Sequence, residues 1–196
     1  VQHEDINYAN VLEGRNCTTT AAATADTATP DIAQQGHGTF VAGEIIAQHN
    51  SVGVDGIAPD AKVRPYKVFT LTEDGKITGK GSYVTKAVNQ AIKDDVDVIT
   101  MSLGDANASQ FSEKAFADAV DAGIIVIAAC GNDAVGDNRY PAAFGAVIGV
   151  SAVFGANGEF ADYYFGTSGG SGSNYGNDNV YVSAPGSDAR GTSGIW

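Results

Sequence analysis

Residues 124–129 have the sequence Ile-Ile-Val-Ile-Ala-Ala, an unbroken apolar run without alternation. Such a run is typical of a central parallel strand that is covered on both faces. Residues 146–153 repeat the pattern, and a β-branched run at 96–101 predicts a third strand. Apolar residues at helical spacing predict amphipathic helices over 83–92 and 111–120. The alternation of strands and helices predicts an α/β fold with a mostly parallel sheet.

The patterns outside this central region are weaker. Residues 1–35 are polar and predict no regular element, and their Thr/Ala-rich part, Thr18–Thr29, predicts an exposed loop. A helix is predicted to begin near His37 and to end at 49–51. Residues 61–69 form a candidate strand, whose proline argues for an edge or distorted position. Two further segments are predicted to be turn-rich or exposed connections: 72–81 and 166–179.

Length and composition limit the class of protein. The 196 residues suffice for one core, and we expect a single domain over residues 1–196. The net charge of −12 argues against nucleic acid as a partner, because phosphate binding needs a basic surface. No apolar run approaches the roughly 20 residues that span a bilayer, so no membrane partner is expected. Cys17 and Cys130 match no metal-ligand pattern, and the sequence leaves open whether they pair.

Candidate site residues follow the predicted strands. In open α/β sheets, ligands bind at the carboxyl ends of the strands. Three segments lie there, each with a glycine and small or polar residues: 102–104, 130–133 and 183–186. His37 stands apart, between two glycines where a loop becomes a helix. It titrates near neutral pH and can transfer a proton, although a structural histidine is the alternative.

Six short motifs resemble, in order, the landmarks of the subtilisin-like serine proteases. The resemblance covers almost the whole chain and implies a three-layer, doubly wound, mostly parallel sheet with helices on both faces. It also implies catalysis by an Asp, His and Ser triad in that chain order. The motifs are His37-Gly-Thr with Val41-Ala-Gly, Val54-Asp-Gly-Ile-Ala-Pro59, Met101-Ser-Leu-Gly104, Gly131-Asn132, Tyr140-Pro-Ala142 and Ala184-Pro-Gly186.

The resemblance assigns roles to individual residues. His37 matches the general base, and Asn132 matches the side-chain donor of the oxyanion hole. Ser102, Leu103 and Gly104 match the segment that pairs with the substrate backbone as an added strand. Ala129 and Gly131 match residues that border the pocket for the side chain before the scissile bond. The implied protein is a secreted, monomeric serine endopeptidase that hydrolyses polypeptide substrates through an acyl-enzyme.

A calcium site is implied in the same way. Residues 48–54 resemble the family's calcium loop, in which an Asn side chain and alternate backbone carbonyls supply oxygen ligands. The implied ligands are the side chains of Asp5 and Asn50 and the carbonyls of Gln48, Val52 and Val54. A polar turn without an ion is the alternative.

Two triad members depart from the family pattern. Residues 1–5 match the segment that comes after the catalytic aspartate, so the acid is expected to precede Val1. Gly191-Thr-Ser193 has the nucleophile's tripeptide, but it lies too close to Ala184-Pro-Gly186, and Ile195 replaces a small residue. Ser193 is therefore either the nucleophile or a decoy ahead of a later serine. We interpret the chain as an internal fragment that also lacks the buried helix after the serine, which predicts exposed apolar sheet surface.

Two other classes of function remain. A non-catalytic binding protein on the same scaffold would keep the core motifs and lose an active-site group. A nucleotide-binding enzyme would need a Gly-rich loop after its first strand. The glycine-rich stretch at 166–176 comes late in the chain, and no helix pattern comes after it.

Overall fold

The computed structural model describes residues 3–19, 23–26, 36–154, 162–163, 171–176 and 180–187. The chain divides into two compact units, Val1–Gln90 and Ala91–Ile195. A single domain over the whole chain therefore remains a prediction. No helix in the described ranges is both long enough and apolar enough to cross a membrane.

The described ranges contain three α-helices and eleven strands, with short 3-10 helices at Tyr8–Asn10 and Ala108–Gln110. In chain order the elements are β1 (Gly14–Asn16), β2 (Thr24–Asp26), α1 (His37–Ile46), β3 (Tyr66–Lys67), β4 (Phe69–Leu71), β5 (Ile77–Gly79), α2 (Gly81–Lys93), β6 (Val98–Met101), α3 (Glu113–Asp121), β7 (Ile125–Ala129), β8 (Ile148–Phe154), β9 (Asp162–Tyr163), β10 (Ser171–Gly172) and β11 (Val182–Ser187).

The second unit is built on a four-stranded sheet with the order β11-β8-β7-β6. All three pairings in this sheet are parallel, which confirms the predicted α/β fold with a mostly parallel sheet. The apolar run at 124–129 forms β7, an inner strand of the sheet. Parallel neighbours end at the same edge, so β6 and β7 present the segments after Met101 and Ala129 side by side.

The two faces of this sheet differ in burial. One face carries the buried side chains of Met101, Val126 and Ala128. Helix α3, whose Phe116 is fully buried, contacts β7. The opposite face has exposed apolar residues on all four strands. The cross-strand register places them on the same side: Val98, Ile125, Ile148 and Val182.

Replacing Phe116 by alanine should lower the free energy of unfolding by about 3–5 kcal/mol, the usual cost of truncating a buried aromatic ring. Its ring packs against Phe144, with ring centroids 5.5 Å apart, and the residue has no exposed surface. Val120→Ala on the same helix is the matched control, because Val120 is 41% exposed. Urea unfolding of the two variants measures the difference, and equal losses would contradict this packing.

The prediction that residues 1–35 contain no regular element is wrong, because strands β1 and β2 lie in this range. Strand β1 pairs antiparallel with β2, which lies inside the predicted Thr18–Thr29 loop, and parallel with β3. These strands have two or three residues each, and backbone pairing rather than apolar periodicity holds them. The Arg15 N–H, for example, donates to the Pro65 carbonyl at 2.9 Å.

The region at 61–81 also differs in detail from the prediction. The candidate strand at 61–69 contains only β3 and the first residue of β4, and both begin after Pro65. Proline has no N–H to donate to a strand ladder, which limits pairing at that position. The turn-rich connection is a hairpin in which β4 pairs antiparallel with β5.

Two predictions near the carboxyl end are also wrong. The segment 183–186 does not follow a strand but belongs to β11, with an irregularity between Pro185 and Ser187. The predicted exposed loop at 166–179 lies partly outside the described residues. Within the part that is described, Ser173 and Asn174 are buried, with 3% and 0% of their surface exposed. Polar composition predicts exposure here, whereas buried hydrogen bonds satisfy these two side chains.

The two cysteines are free, and both are buried. Burial raises the pKa of the Cys130 thiol, and a hydrogen bond from Ser173 acts in the opposite direction. A raised pKa lowers the fraction of thiolate at neutral pH, and the thiolate is the nucleophilic form of cysteine.

Candidate active site

His37 is the first residue of α1, as predicted. Gly36 precedes it with φ 110°, a left-handed backbone conformation that favours glycine because it has no Cβ atom. The Phe40 N–H donates to the Gly36 carbonyl at 2.9 Å and closes the first turn of the helix. This local backbone geometry places the imidazole at a defined helix start.

Glu44 is the acidic residue that interacts electrostatically with His37. Desolvation raises the pKa of the Glu44 carboxyl, although the residue remains solvent-exposed, and the positive charge of His37 acts in the opposite direction. Glu44 lies seven residues after His37, which is two helical turns along the same side of α1. Within the described ranges, the His37 imidazole has no hydrogen-bond partner.

The other two members of a triad are not assigned by the structure. Ser193 lies outside the described residues. Asp5 is engaged elsewhere, because its Oδ2 accepts a hydrogen bond of 2.9 Å from the Val54 N–H. The triad assignments of His37 and Ser193 stay predictions.

The predicted substrate-binding segments converge in the second unit. Ser102, Leu103 and Gly104 follow β6, and Ala129 and Gly131 lie at the end of β7 and just beyond it. An added Cβ atom at Gly104 would lie 4.0 Å from the Ala129 carbonyl oxygen. Across the described part of the chain, residues 102–104 form no backbone–backbone hydrogen bond outside the strand ladders. Ser102 and Gly104 are exposed.

Asn132 lies in the loop after β7, which we call the Asn132 loop and define as Cys130–Asp133. Gly131 has φ 102°, and an added Cβ atom there would lie only 2.7 Å from Asn174 Nδ2. Glycine is thus needed both for the backbone conformation and for the close approach of Asn174. Asn132 itself is exposed, at the edge of the sheet where the sequence predicts an oxyanion donor.

Arg139 is a neighbour of this site that the sequence patterns do not indicate. Its Nε and Nη2 atoms both lie 2.9 Å from Asp133 Oδ2. Its side chain lies close to both predicted substrate-binding segments. An added Cβ atom at Gly131 would lie 3.0 Å from Arg139 Cγ, and one at Gly104 would lie 4.0 Å from Arg139 Cβ. Arg139 directly precedes the Tyr140-Pro motif. This adjacency is the one sequence signal that could have indicated a position near the site.

The predicted calcium loop lies in the first unit. Asp5 is 1% exposed, and its Oδ1 is buried without a hydrogen-bond partner among the described residues. The Gln48 N–H donates to the Asp5 carbonyl at 2.9 Å, so Asp5 touches the loop at both ends. A Cβ atom at Gly53, where φ is 63°, would collide with the Asp5 carboxylate. The structure thus brings Asp5 and the loop together, and their roles as calcium ligands stay predictions.

Asn50 is the other residue predicted to bind through its side chain. The Asn50 Oδ1 accepts a hydrogen bond of 2.8 Å from the Val52 N–H, which leaves one of its two lone pairs. In the described ranges, no group of three or more His, Cys, Asp or Glu residues could hold a metal ion. An ion at this loop would therefore depend on amide and carbonyl oxygens in addition to Asp5, a donor set that suits calcium.

Comparison with known proteins places these features in a family. The model of the subtilase family matches residues 1–195. The Minor extracellular protease Epr of Bacillus subtilis (strain 168) is 37% identical over 158 residues, which is 80% of this chain and 22% of that protein. The Major intracellular serine protease of the same organism is 38% identical over 125 residues, 60% of this chain and 38% of that protein.

A solved structure agrees with the sequence relatives. The psychrophilic subtilisin-like protease Apa1 from Pseudoalteromonas sp. AS-11 matches with a TM-score of 0.72 and 30% identity, over 94% of this chain and 38% of that chain. The chain thus spans between 22% and 38% of the length of these relatives. The match of the family model over nearly the whole sequence, together with these relatives, shows that the chain belongs to the subtilase family.

Proposed function

We propose that the protein containing this chain is a serine endopeptidase that hydrolyses peptide bonds in polypeptide substrates. The observation that carries the proposal is the convergence of the segments after β6 and β7, where an added Cβ atom at Gly104 would lie 4.0 Å from the carbonyl oxygen of Ala129, directly before the Asn132 loop. An extended peptide paired with 102–104 would bring a backbone carbonyl to the sheet edge that holds Asn132. The names of the relatives as proteases support the same activity.

The proposed chemistry is acyl transfer. His37 accepts the proton of the serine hydroxyl as the serine oxygen attacks the substrate carbonyl, and it returns that proton to the leaving amine. The Asn132 amide donates a hydrogen bond to the oxyanion of the tetrahedral intermediate. Water then attacks the acyl-enzyme, again with His37 as base, and releases the acid product. The nucleophile is Ser193 or a serine of the parent protein beyond it, with an aspartate to orient His37.

A test of this proposal uses the parent protein, which contains this chain. The parent should cleave peptides, and a serine-directed phosphonyl fluoride should block cleavage. Peptide binding by the parent without cleavage would favour a non-catalytic binding protein.

We further propose that the loop at 48–54 binds a structural calcium ion with Asp5. The buried, unpartnered Asp5 Oδ1 supports this, because a desolvated carboxylate oxygen without a partner is costly unless it meets a cation or donor. Asp5 and Asn50 would bind through side chains, and Gln48, Val52 and Val54 through carbonyls. The ion would hold the segment before β1 against the end of α1, where Ile6 already forms a bridge with Ala47.

Calcium should raise the Tm of the parent protein, and Asp5→Asn should abolish that increase. At free calcium about 100 times Kd, binding to the folded state alone contributes about 2.7 kcal/mol. The readout is the difference in Tm between calcium and EDTA, so any effect of the substitution on the calcium-free protein cancels. Asp60→Asn is the control, because Asp60 is exposed and outside the loop. An unchanged calcium response in Asp5→Asn would exclude this site.

We also propose that the protein is secreted and monomeric. The relative named as an extracellular protease supports secretion. The relative named as an intracellular protease supports the alternative, a location inside the cell. Fractionation of a culture that expresses the parent protein distinguishes the two locations. Light scattering of the purified protein gives its mass in solution and tests the monomer.

A further inference from the structure

We propose that Asn174 is a positioning residue that holds the Asn132 loop in its oxyanion-binding geometry. This proposal rests on the proposed peptidase function. Asn174 has no exposed surface and lies 42 positions after Asn132 in the sequence. It belongs to a polar stretch in which no catalytic or binding role is predicted from the sequence.

The Asn174 side chain bonds to the loop on both sides of Asn132. Its Nδ2 donates to the Cys130 carbonyl at 2.9 Å. Its Oδ1 accepts from the Asp133 N–H at 2.9 Å and from the Val135 N–H at 3.3 Å. One amide thus supplies a donor to the residue that begins the loop and an acceptor to the residue that ends it.

The Asn174 backbone adds two more attachments. Its N–H donates to the Gly131 carbonyl at 2.9 Å, and its carbonyl accepts from the Cys130 thiol at 3.3 Å. Ser173 ties the same segment to the sheet, because its hydroxyl accepts from the Ala152 N–H at 2.8 Å. The loop is therefore connected through Asn174 to strand β8 rather than held only by its own turn.

These bonds leave the Asn132 side chain unused. Cys130, Gly131 and Asp133 all bond to Asn174, while Asn132 between them is exposed. An oxyanion donor gains its catalytic effect from being fixed before the reaction, and displacement of about 1 Å can cost about 100-fold in rate. Fixing both neighbours of Asn132 restricts its backbone while its amide stays free to face a substrate.

An amide is the side chain that fits this position. The Cys130 carbonyl can only accept and the Asp133 N–H can only donate, so the buried residue must offer one donor and one acceptor. An aspartate would place a carboxylate oxygen against the Cys130 carbonyl. A leucine of similar size would leave both loop groups buried and unpaired. The contact of Asn174 Nδ2 with Gly131 also requires glycine there, so the two residues are matched.

The test is a double-mutant cycle in the parent protein with Asn174→Ala and Asn132→Ala. Asn174→Ala should lower kcat about 10- to 100-fold and change KM less than about threefold, because the donor acts in the transition state. In the Asn132→Ala background, the same substitution should lower kcat less than about threefold, since the group it positions is gone. Asn174→Asp should not restore activity.

Two controls separate positioning from loss of fold. Ser151→Ala removes a buried polar group elsewhere in the same unit, a hydroxyl that lies 2.6 Å from the Ser183 hydroxyl. This variant should keep kcat. Values of kcat are normalised to the folded fraction from near-ultraviolet circular dichroism. Equal losses of kcat from Asn174→Ala in both backgrounds, or an effect on KM alone, would overturn the proposal.

A structural readout keeps this proposal separate from the proposed function. Hydrogen exchange at the Asp133 amide, which bonds to Asn174, should accelerate about 10-fold or more in Asn174→Ala and remain unchanged in Ser151→Ala. A wild-type parent protein without peptidase activity would refute the function. Unchanged exchange at Asp133 in Asn174→Ala would refute the anchoring role itself.

Discussion

Replacing His37 by alanine is expected to lower kcat about 10⁶-fold, the effect of removing the general base in subtilisin, a member of the same family. Without the imidazole, the serine hydroxyl has no acceptor for its proton and attacks the peptide carbonyl only as a weak nucleophile. The leaving amine also loses its proton donor. Steady-state hydrolysis of a chromogenic peptide by the parent protein measures the change.

Phe40→Ala is the matched control for this substitution. Phe40 occupies the first turn of the same helix, is 41% exposed and takes no part in the proposed chemistry. It should keep kcat within a few-fold, which would separate the role of the imidazole from any general weakening of α1. Retention of more than a tenth of the activity in His37→Ala would remove His37 from the role of general base.

Replacing Asn132 by alanine is expected to lower kcat about 10²–10³-fold, the range found for the corresponding donor in subtilisin. The amide N–H meets negative charge that develops on the carbonyl oxygen only as the tetrahedral intermediate forms. KM should therefore change little. Initial rates over a range of peptide concentrations give kcat and KM separately.

Asn132→Asp sharpens this experiment, because it keeps the shape of the side chain and replaces the amide donor by a carboxylate. It should be at least as inactive as Asn132→Ala, since its charge repels the oxyanion. Asn89→Ala, at an exposed position of α2, is the control for loss of an asparagine and should leave both constants unchanged. A loss confined to KM in Asn132→Ala would indicate ground-state binding instead of transition-state stabilisation.

The elements that can be predicted are those with strong local periodicity. The apolar stripe at 83–92 predicts helix α2, and its Val84, Ala87 and Val88 are buried. Short apolar or β-branched runs predict strands β6, β7 and β8, because a strand covered by neighbours needs little else in its sequence. Such signals depend on residues only a few positions apart.

The elements that escape prediction have no such signal. Strands β1, β2 and β10 contain two or three residues and are specified by the chain segments that pair with them. Asn174 lies among Gly, Ser and Asn residues, a composition that predicts an exposed loop. Its burial depends on partners more than 40 positions away in sequence, among them the Cys130 carbonyl.

The sequence by itself determined the family, the parallel sheet, the start of α1 at His37 and which segments are proposed to bind a substrate. The order and spacing of short motifs carry that information, because each motif consists of residues that are close together in the sequence. Only the tertiary structure decided that Asn174 braces the Asn132 loop and that Arg139 lies beside Gly131 and Gly104. Both depend on which buried donors and acceptors meet across the fold, and hydrogen bonds between distant segments leave no periodic pattern in the chain.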